Sequence, residues 1–153
     1  MNKQIVKSMA LGEAYEFYRH PSGLGILLYP MPGFSSVYAV FATNYGSINT
    51  TFKTQKEDDY VTVPEGIAHF LEHKLFESEE GDAFEQFSKT GALANAFTSF
   101  EKTSYLFSTT DHFEECLEIL VRFVQDPYFT QQTVEKEQGI IGQEIRMYDD
   151  DPG

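Results

Sequence analysis

Cysteine is almost absent from this chain of 153 residues, which carries Cys116 alone. A single cysteine cannot form an internal disulfide, so no covalent cross-link within the chain supports the fold. Cys116 lies in a helical pattern with Leu117 and Leu120, where a small apolar side chain is typically buried. We therefore interpret it as a core residue.

Basic side chains are also scarce. The chain has 11 lysines and arginines against 24 aspartates and glutamates, which gives a formal net charge of -13 at pH 7. Such a chain repels a polyphosphate and has no basic stripe that could release counterions from one. We therefore expect no nucleic acid among its partners.

Long hydrophobic runs are missing as well. The first segment, MNKQIVKSMALGEAYEF, contains two lysines and no continuous apolar run of signal-peptide length. No later run approaches the length that spans a bilayer. We therefore expect a cytoplasmic protein with no membrane partner.

What the chain does have is enough apolar surface for one sizeable core, because 41% of its residues are hydrophobic and 15% are aromatic. Polar residues and turn signals between apolar stretches predict five strands. These strands cover residues 14–20, 23–30, 35–47, 93–100 and 103–110. The polar stretch 53–59 is predicted to be a surface loop.

Helical spacing and capping residues predict four helices. The first has Pro64 in its first turn and runs to about Glu77, and the second has Asp82 as its N-cap and Gly91 just past its end. The third follows Asp111 as N-cap, and the fourth begins near Thr130.

The motif HFLEH on the first predicted helix places His69, Glu72 and His73 at i, i+3 and i+4. At 100° per residue the three side chains occupy an arc of about 100°, so they face one region of space. Two imidazoles one turn apart suit a tetrahedral zinc ion, and the glutamate between them can reach a water molecule on that ion. The ordinary alternative is a pair of histidines that serve only as core or surface side chains.

The last predicted helix carries Glu137 and Glu144 two turns apart, so both point the same way. They fall within an apolar arc formed by Val134, Ile140, Ile141, Ile145, Met147 and Tyr148. Carboxylates in such a stripe are normally hydrogen-bonded, paired or bound to a metal. The alternatives are a salt bridge to a buried arginine or lysine, or a face open to water. The two helices together predict a shared metal site.

Three segments of the chain carry a family resemblance: GIAHFLEHKLFES, GALANAFTSFEKTSYLF and VEKEQGIIGQEIRMY. In this order they resemble the pitrilysin/insulinase type of zinc metallopeptidase, the inverzincins, which include insulin-degrading enzyme and the mitochondrial processing peptidase. The HKLFE sequence is similar to that of cytoplasmic bacterial members. One departure is Lys74, where several relatives have an apolar residue.

The resemblance implies a role for each matching residue. His69, His73 and Glu144 become ligands of a zinc ion (Zn2+), Glu72 becomes the general base, and Glu137 becomes a supporting catalytic carboxylate. Residues 95–97, which are Asn95, Ala96 and Phe97, fall where the family's edge strand pairs with an extended substrate backbone. The implied fold class is α+β, a largely antiparallel sheet with helices packed on it. Residues 1–153 would then be an incomplete N-terminal zinc-binding domain without the downstream lobes.

The function implied by the resemblance is that of a zinc-dependent endopeptidase acting on peptides or small proteins. A homodimer or heterodimer with a related subunit is an expected assembly. A non-catalytic subunit that binds peptide or supports a partner is the main alternative. A metalloenzyme acting on another class of substrate also stays open, and the NAFTS strand could be an ordinary hairpin strand that binds nothing.

Overall fold

A computed structural model describes residues 2–54 and 56–149 of the chain, with side chains up to residue 147. The side chain of Tyr148, which the sequence placed in an apolar arc, lies outside the described residues. The chain divides into two compact units, Met1–Ser35 and Ser36–Gly153.

The first unit is a three-stranded antiparallel sheet of β1 (Asn2–Ser8), β2 (Glu13–Arg19) and β3 (Gly25–Leu28), in that order. Two of these strands, β2 and β3, were predicted. The first strand was not predicted, because lysines flank its two apolar residues and obscure the alternation of a half-buried strand. Its formation depends on pairing along its whole length with β2, which no local pattern reveals.

The second unit contains the remaining strands and all four helices described. In chain order these are β4 (Val37–Thr43), β5 (Thr51–Phe52), β6 (Val61–Thr62), α1 (Ile67–Leu75), β7 (Glu77–Ser78), β8 (Gly81–Asp82), α2 (Ala83–Thr90), β9 (Leu93–Thr98), β10 (Thr103–Thr109), α3 (Phe113–Phe123) and α4 (Gln131–Asp149). The main sheet is antiparallel with the order β4-β10-β9, so β9 forms one edge. The short pairs β5-β6 and β7-β8 were not predicted. The α+β class with antiparallel sheets and packed helices is confirmed.

The core of the second unit is largely aromatic and lies between the sheet and the helices. Its buried members are Phe76, Ala83, Phe87, Ala92, Tyr105, Phe107, Cys116, Leu120 and Phe123. Cys116 is fully buried, and its sulfur lies 3.1 Å from Oγ1 of Thr90. The interpretation of this cysteine as a core residue is therefore confirmed.

Two predicted helix starts were wrong. Helix α1 begins at Ile67, after Gly66 with φ +88°, so Pro64 lies outside the helix. Glycine reaches this left-handed conformation without steric cost, and it therefore sets the helix start in place of the proline. Helix α3 is preceded by His112 with φ +55°, so Asp111 is not its N-cap. The Asp111 carboxylate instead accepts a hydrogen bond from the His112 N–H.

The other helix boundaries follow the local signals. Asp82 caps α2 by accepting a hydrogen bond of 2.7 Å from the Phe84 N–H, and Gly91 ends the helix with φ +76°. Helix α1 packs against β9, β10 and α4, which brings the HFLEH motif and the C-terminal helix together. Among the residues described, no helix combines the length and the apolar character needed to cross a bilayer.

Candidate metal centre

Helix α1 presents His69 and His73 on one face, one turn apart. Their rings meet edge to face, with centroids 4.6 Å apart and an interplanar angle of 86°. The two Nε2 atoms are separated by 3.0 Å. Both nitrogens are therefore directed into the same small volume beside the helix.

Helix α4 brings Glu144 to the same volume. Its Oε2 lies 3.7 Å from Nε2 of His69 and 3.8 Å from Nε2 of His73. In a tetrahedral zinc site with bonds of about 2.0–2.1 Å, ligand atoms are separated by about 3.3 Å. The triangle of 3.0, 3.7 and 3.8 Å brackets that value, so these three side chains fit a single metal ion.

Glu137 lies on the far side of the His73 ring from this volume. Its side chain is buried, and Oε1 accepts a hydrogen bond of 2.7 Å from Nδ1 of His73. With its proton on Nδ1, the imidazole presents a lone pair on Nε2, which is the tautomer that binds a metal. Among the described side chains, neither Glu137 nor Glu144 pairs with an arginine or lysine.

The apolar arc of α4 is less buried than the sequence suggested. Glu137 is buried, but the Glu144 side chain keeps 38% of its surface exposed. Ile145 and Met147 are exposed, at 57% and 71%. Glu137 thus lies in a buried part of the arc, whereas Glu144 lies where the arc is open to water, which is one of the alternatives that the sequence left.

Glu72 lies on the inner side of α1, and its residue surface is 9% exposed. It lines a cavity of about 350 Å³ together with His73, Glu137, Asn95 and Ala96. Thr98 Oγ1 donates a hydrogen bond of 2.6 Å to Oε2 of Glu72. The carboxylate that the sequence singled out as a base thus opens onto a space beside the candidate metal site.

The charge of Glu72 also acts on the buried Tyr105 beneath it. Burial raises the pKa of the Tyr105 hydroxyl, and the negative charge of Glu72 raises this pKa further. Tyr105 therefore stays protonated and neutral beside the carboxylate.

The three residues of the predicted substrate strand are only partly brought together. Asn95 and Ala96 line the cavity, and the Ala96 N–H donates a hydrogen bond of 2.8 Å to Oδ1 of Asn95. The Phe97 side chain is 43% exposed and does not line the cavity, and Lys102 Nζ lies 5.6 Å from its ring centroid. Side chains alternate along a strand, so the Phe97 ring points to the opposite face of the sheet from the Ala96 methyl group.

The sequence singles out Lys74 as a departure from the family pattern but does not reveal the ion pairs around it. Lys74 is fully buried, and its ammonium group pairs with the Glu77 carboxylate. Oε1 of Glu77 accepts a further hydrogen bond of 2.8 Å from Nζ of Lys136 on α4. The i, i+3 spacing of Lys74 and Glu77 was a usable signal, whereas Lys136 is 59 residues from Glu77.

These contacts change the ionisation of Glu77. Burial by itself would raise the pKa of this carboxyl group, but the hydrogen bonds from Lys136 and Lys74 and their positive charges outweigh it. The pKa of Glu77 is therefore held below its ordinary value, and the charged carboxylate links the end of α1 to α4.

The chain is similar to the members of a known protein family. The model of the family described as Insulinase (Peptidase family M16) matches residues 56–152. The uncharacterised zinc protease YmfH of Bacillus subtilis is 61% identical over 131 residues, covering 86% of this chain and 31% of that protein. A zinc protease of Rickettsia felis is 31% identical over 145 residues, covering 92% of this chain and 33% of that protein.

Solved structures show the same relationship. An M16-like peptidase from Alicyclobacillus acidocaldarius superposes with a TM-score of 0.84 at 39% identity, covering 99% of this chain and 33% of that one. Pitrilysin shares the fold, with a TM-score of 0.71 at 19% identity, and 16% of its chain is covered. The chain thus spans about a third of the length of its first curated relatives. It belongs to the insulinase family of peptidases, family M16.

Proposed function

We propose that this chain carries the metal-binding and proton-transfer part of a zinc-dependent endopeptidase. The observation that carries the proposal is the triangle formed by Nε2 of His69, Nε2 of His73 and Oε2 of Glu144. Relatives of this chain are named zinc proteases, which supports zinc as the ion. Because the chain spans about a third of those relatives, the activity is proposed for the protein at its natural length.

His69, His73 and Glu144 would hold the ion, and Glu137 would orient His73. When bound, zinc supplies Lewis-acid chemistry, since it lowers the pKa of water to about 7 and polarises a carbonyl group. The Nδ1–H bond to Glu137 holds the imidazole of His73 in one orientation and makes it a stronger ligand.

Glu72 would transfer the protons. It accepts one from the attacking water and passes it to the amine that leaves when the peptide bond breaks. Its position supports this role, because it precedes His73 directly and borders the cavity where a peptide could lie. Its burial limits its contact with bulk water, so the proton would move within the site.

The substrate would bind as an added strand beside β9, the edge strand of the described β4-β10-β9 sheet. Main-chain hydrogen bonds of this kind hold a peptide without strong selection of its sequence. The Ala96 N–H now bonds to Oδ1 of Asn95, and a peptide carbonyl would take its place. The cytoplasmic location and the pairing with a related subunit stay predictions from the sequence.

A digest of a peptide library tests this function. The zinc-loaded protein at its natural length is compared with the same protein after chelation and with its Glu72→Gln variant. We expect cleavage by the zinc-loaded protein alone, because the amide of glutamine cannot accept a proton. Zinc binding without any cleavage would favour the alternative of a non-catalytic, peptide-binding subunit.

A further inference from the structure

Thr98 is the last residue of β9, and its hydroxyl is the partner of the Glu72 carboxylate. Oγ1 of Thr98 lies 2.6 Å from Oε2 of Glu72. Along β9, Ala94, Ala96 and Thr98 share the less exposed face, and both alanines pack against the core. The backbone alternation therefore turns the threonine inward, towards α1.

The direction of this hydrogen bond follows from the neighbouring contacts. Among the residues described, the hydroxyl has one other side-chain hydrogen-bond partner, Thr103, whose Oγ1 is 3.5 Å away. Thr103 donates its own hydrogen to the carbonyl oxygen of Tyr45 over 2.8 Å. The hydrogen of Thr98 thus has the Glu72 carboxylate as its nearest acceptor.

Thr98 is the one hydrogen-bond donor to the Glu72 carboxylate among the backbone groups and side chains that the structure describes. A carboxylate that is largely removed from water loses several kcal/mol of hydration unless a donor replaces the water. A hydrogen bond to a charged acceptor is also about twice as strong as one between neutral groups.

We infer that Thr98 is a positioning residue for Glu72, an inference that rests on the proposed function. With Oε2 held by the hydroxyl, the carboxylate has one orientation and Oε1 is left to accept the proton of water. The strand whose edge would bind the peptide therefore also orients the base. Thr98 does not touch the reacting atoms, so its effect is on the catalytic step and not on zinc or peptide binding.

The test compares Thr98→Val, which keeps the shape but removes the hydroxyl, with Thr98→Ser, which keeps the hydroxyl. Both are assayed in the zinc-loaded protein at its natural length, on one internally quenched peptide that it cleaves. For Thr98→Val we expect kcat to fall by about ten-fold or more, as for loss of a hydrogen bond to a charged group. KM and zinc content should not change, and Thr98→Ser should restore most of kcat.

Two reference variants make the result specific. Thr54→Val removes a similar bond, in which Thr54 Oγ1 donates to Oε2 of the exposed Glu57 over 3.1 Å, and it should leave kcat unchanged. Glu72→Gln reports on the proposed function itself. If Thr98→Val does not fold, Thr98→Ala removes the same hydroxyl with a smaller side chain.

Three outcomes would overturn the inference. The first is an unchanged kcat in Thr98→Val while Glu72→Gln is inactive, which leaves the proposed function intact. The second is a rise in KM in place of a fall in kcat, which would assign Thr98 to peptide binding. The third is a Thr98→Ser variant as slow as Thr98→Val, which would show that the hydroxyl is not responsible. Full activity of Glu72→Gln would instead overturn the proposed function.

Discussion

His73 Nδ1 donates a hydrogen bond of 2.7 Å to Oε1 of Glu137. This bond joins helices α1 and α4 through two residues that are 64 positions apart in the sequence. Glu137 is 5% exposed, so its charge has little water around it and needs this partner. The bond fixes the tautomer of the ring that completes the candidate metal site. The same pair therefore supports the packing of α1 on α4 and, in the proposed function, would support the binding of the ion.

Glu137→Gln should weaken zinc binding by about ten-fold or more, because the neutral amide no longer supports the basicity of His73. The zinc dissociation constant, measured by competition with a chelating dye, checks this prediction. Glu135→Gln is the matched control on the same helix, since Glu135 is exposed and the hydrogen bond that it accepts from Gln131 lies on the surface. Equal affinities for the two variants would show that Glu137 does not support the metal site.

The ligands and the base should separate by metal content. His69→Ala and Glu144→Ala each remove one atom of the ligand triangle, so we expect both purified variants to lose zinc. Glu72→Gln should retain zinc and lose hydrolysis, because glutamine has nearly the same shape but does not accept the proton. Metal analysis of the three purified variants tests this prediction. Equal zinc loss in all three would refute this division of roles.

Glu77→Gln should lower the free energy of unfolding of the zinc-free protein at pH 7 by roughly 3 kcal/mol, because Lys74 is then buried without its counter-charge. Chemical denaturation measures the difference. Glu118→Gln is the control, because its pair with Arg122 is exposed and contributes little.

The same variant should show a defined pH dependence. The pKa of Glu77 is lower in the folded chain than its ordinary value, so its stabilisation is fully present above about pH 4.3. It is lost as the pH falls through the folded pKa, where the carboxylate takes up a proton. The difference in the free energy of unfolding between Glu77→Gln and the parent protein should thus become smaller in acid. A difference that became larger there would contradict the lowered pKa of Glu77.

Ala96→Pro should raise KM for peptide cleavage and leave zinc content unchanged. Proline removes the N–H that bonds to Asn95 Oδ1 and that a peptide would need, and an edge strand tolerates this loss. Ala96→Gly is the matched control, since it removes the methyl group but keeps the N–H. Steady-state kinetics of the protein at its natural length compare the two. Similar KM values would argue against peptide binding at this edge.

The 153-residue chain by itself should cleave peptides far more slowly than the protein at its natural length. It spans about a third of its first curated relatives, and Ile145 and Met147 on α4 are exposed. A metal and a base without the surfaces that position the substrate and exclude water lack much of a peptidase's rate. Turnover of one quenched peptide by both forms checks this, and equal rates would contradict it.

Local sequence patterns predicted those parts of the fold and of the candidate site that depend on spacing along one element. The HFLEH spacing places two imidazoles on one face of a helix, and Asp82 and Gly91 set the ends of α2. The start of α1 was wrong because a glycine conformation overrode the proline signal. Strand β1 was missed because its stability comes from a partner strand.

The sequence by itself placed His69 with His73 on one face of a helix, and Glu137 with Glu144 on one face of another, because helix geometry puts residues one turn or two turns apart on the same side. The distinction between Glu144 as a ligand and Glu137 as a supporting carboxylate came from the family resemblance. Only the tertiary structure decided how these side chains are paired and buried. The packing of α1 between β9 and α4 brings Glu137 to His73, Lys136 to Glu77 and Thr98 to Glu72. Each of these bonds joins residues at least 26 positions apart, and burial and pairing at such separations depend on the whole fold.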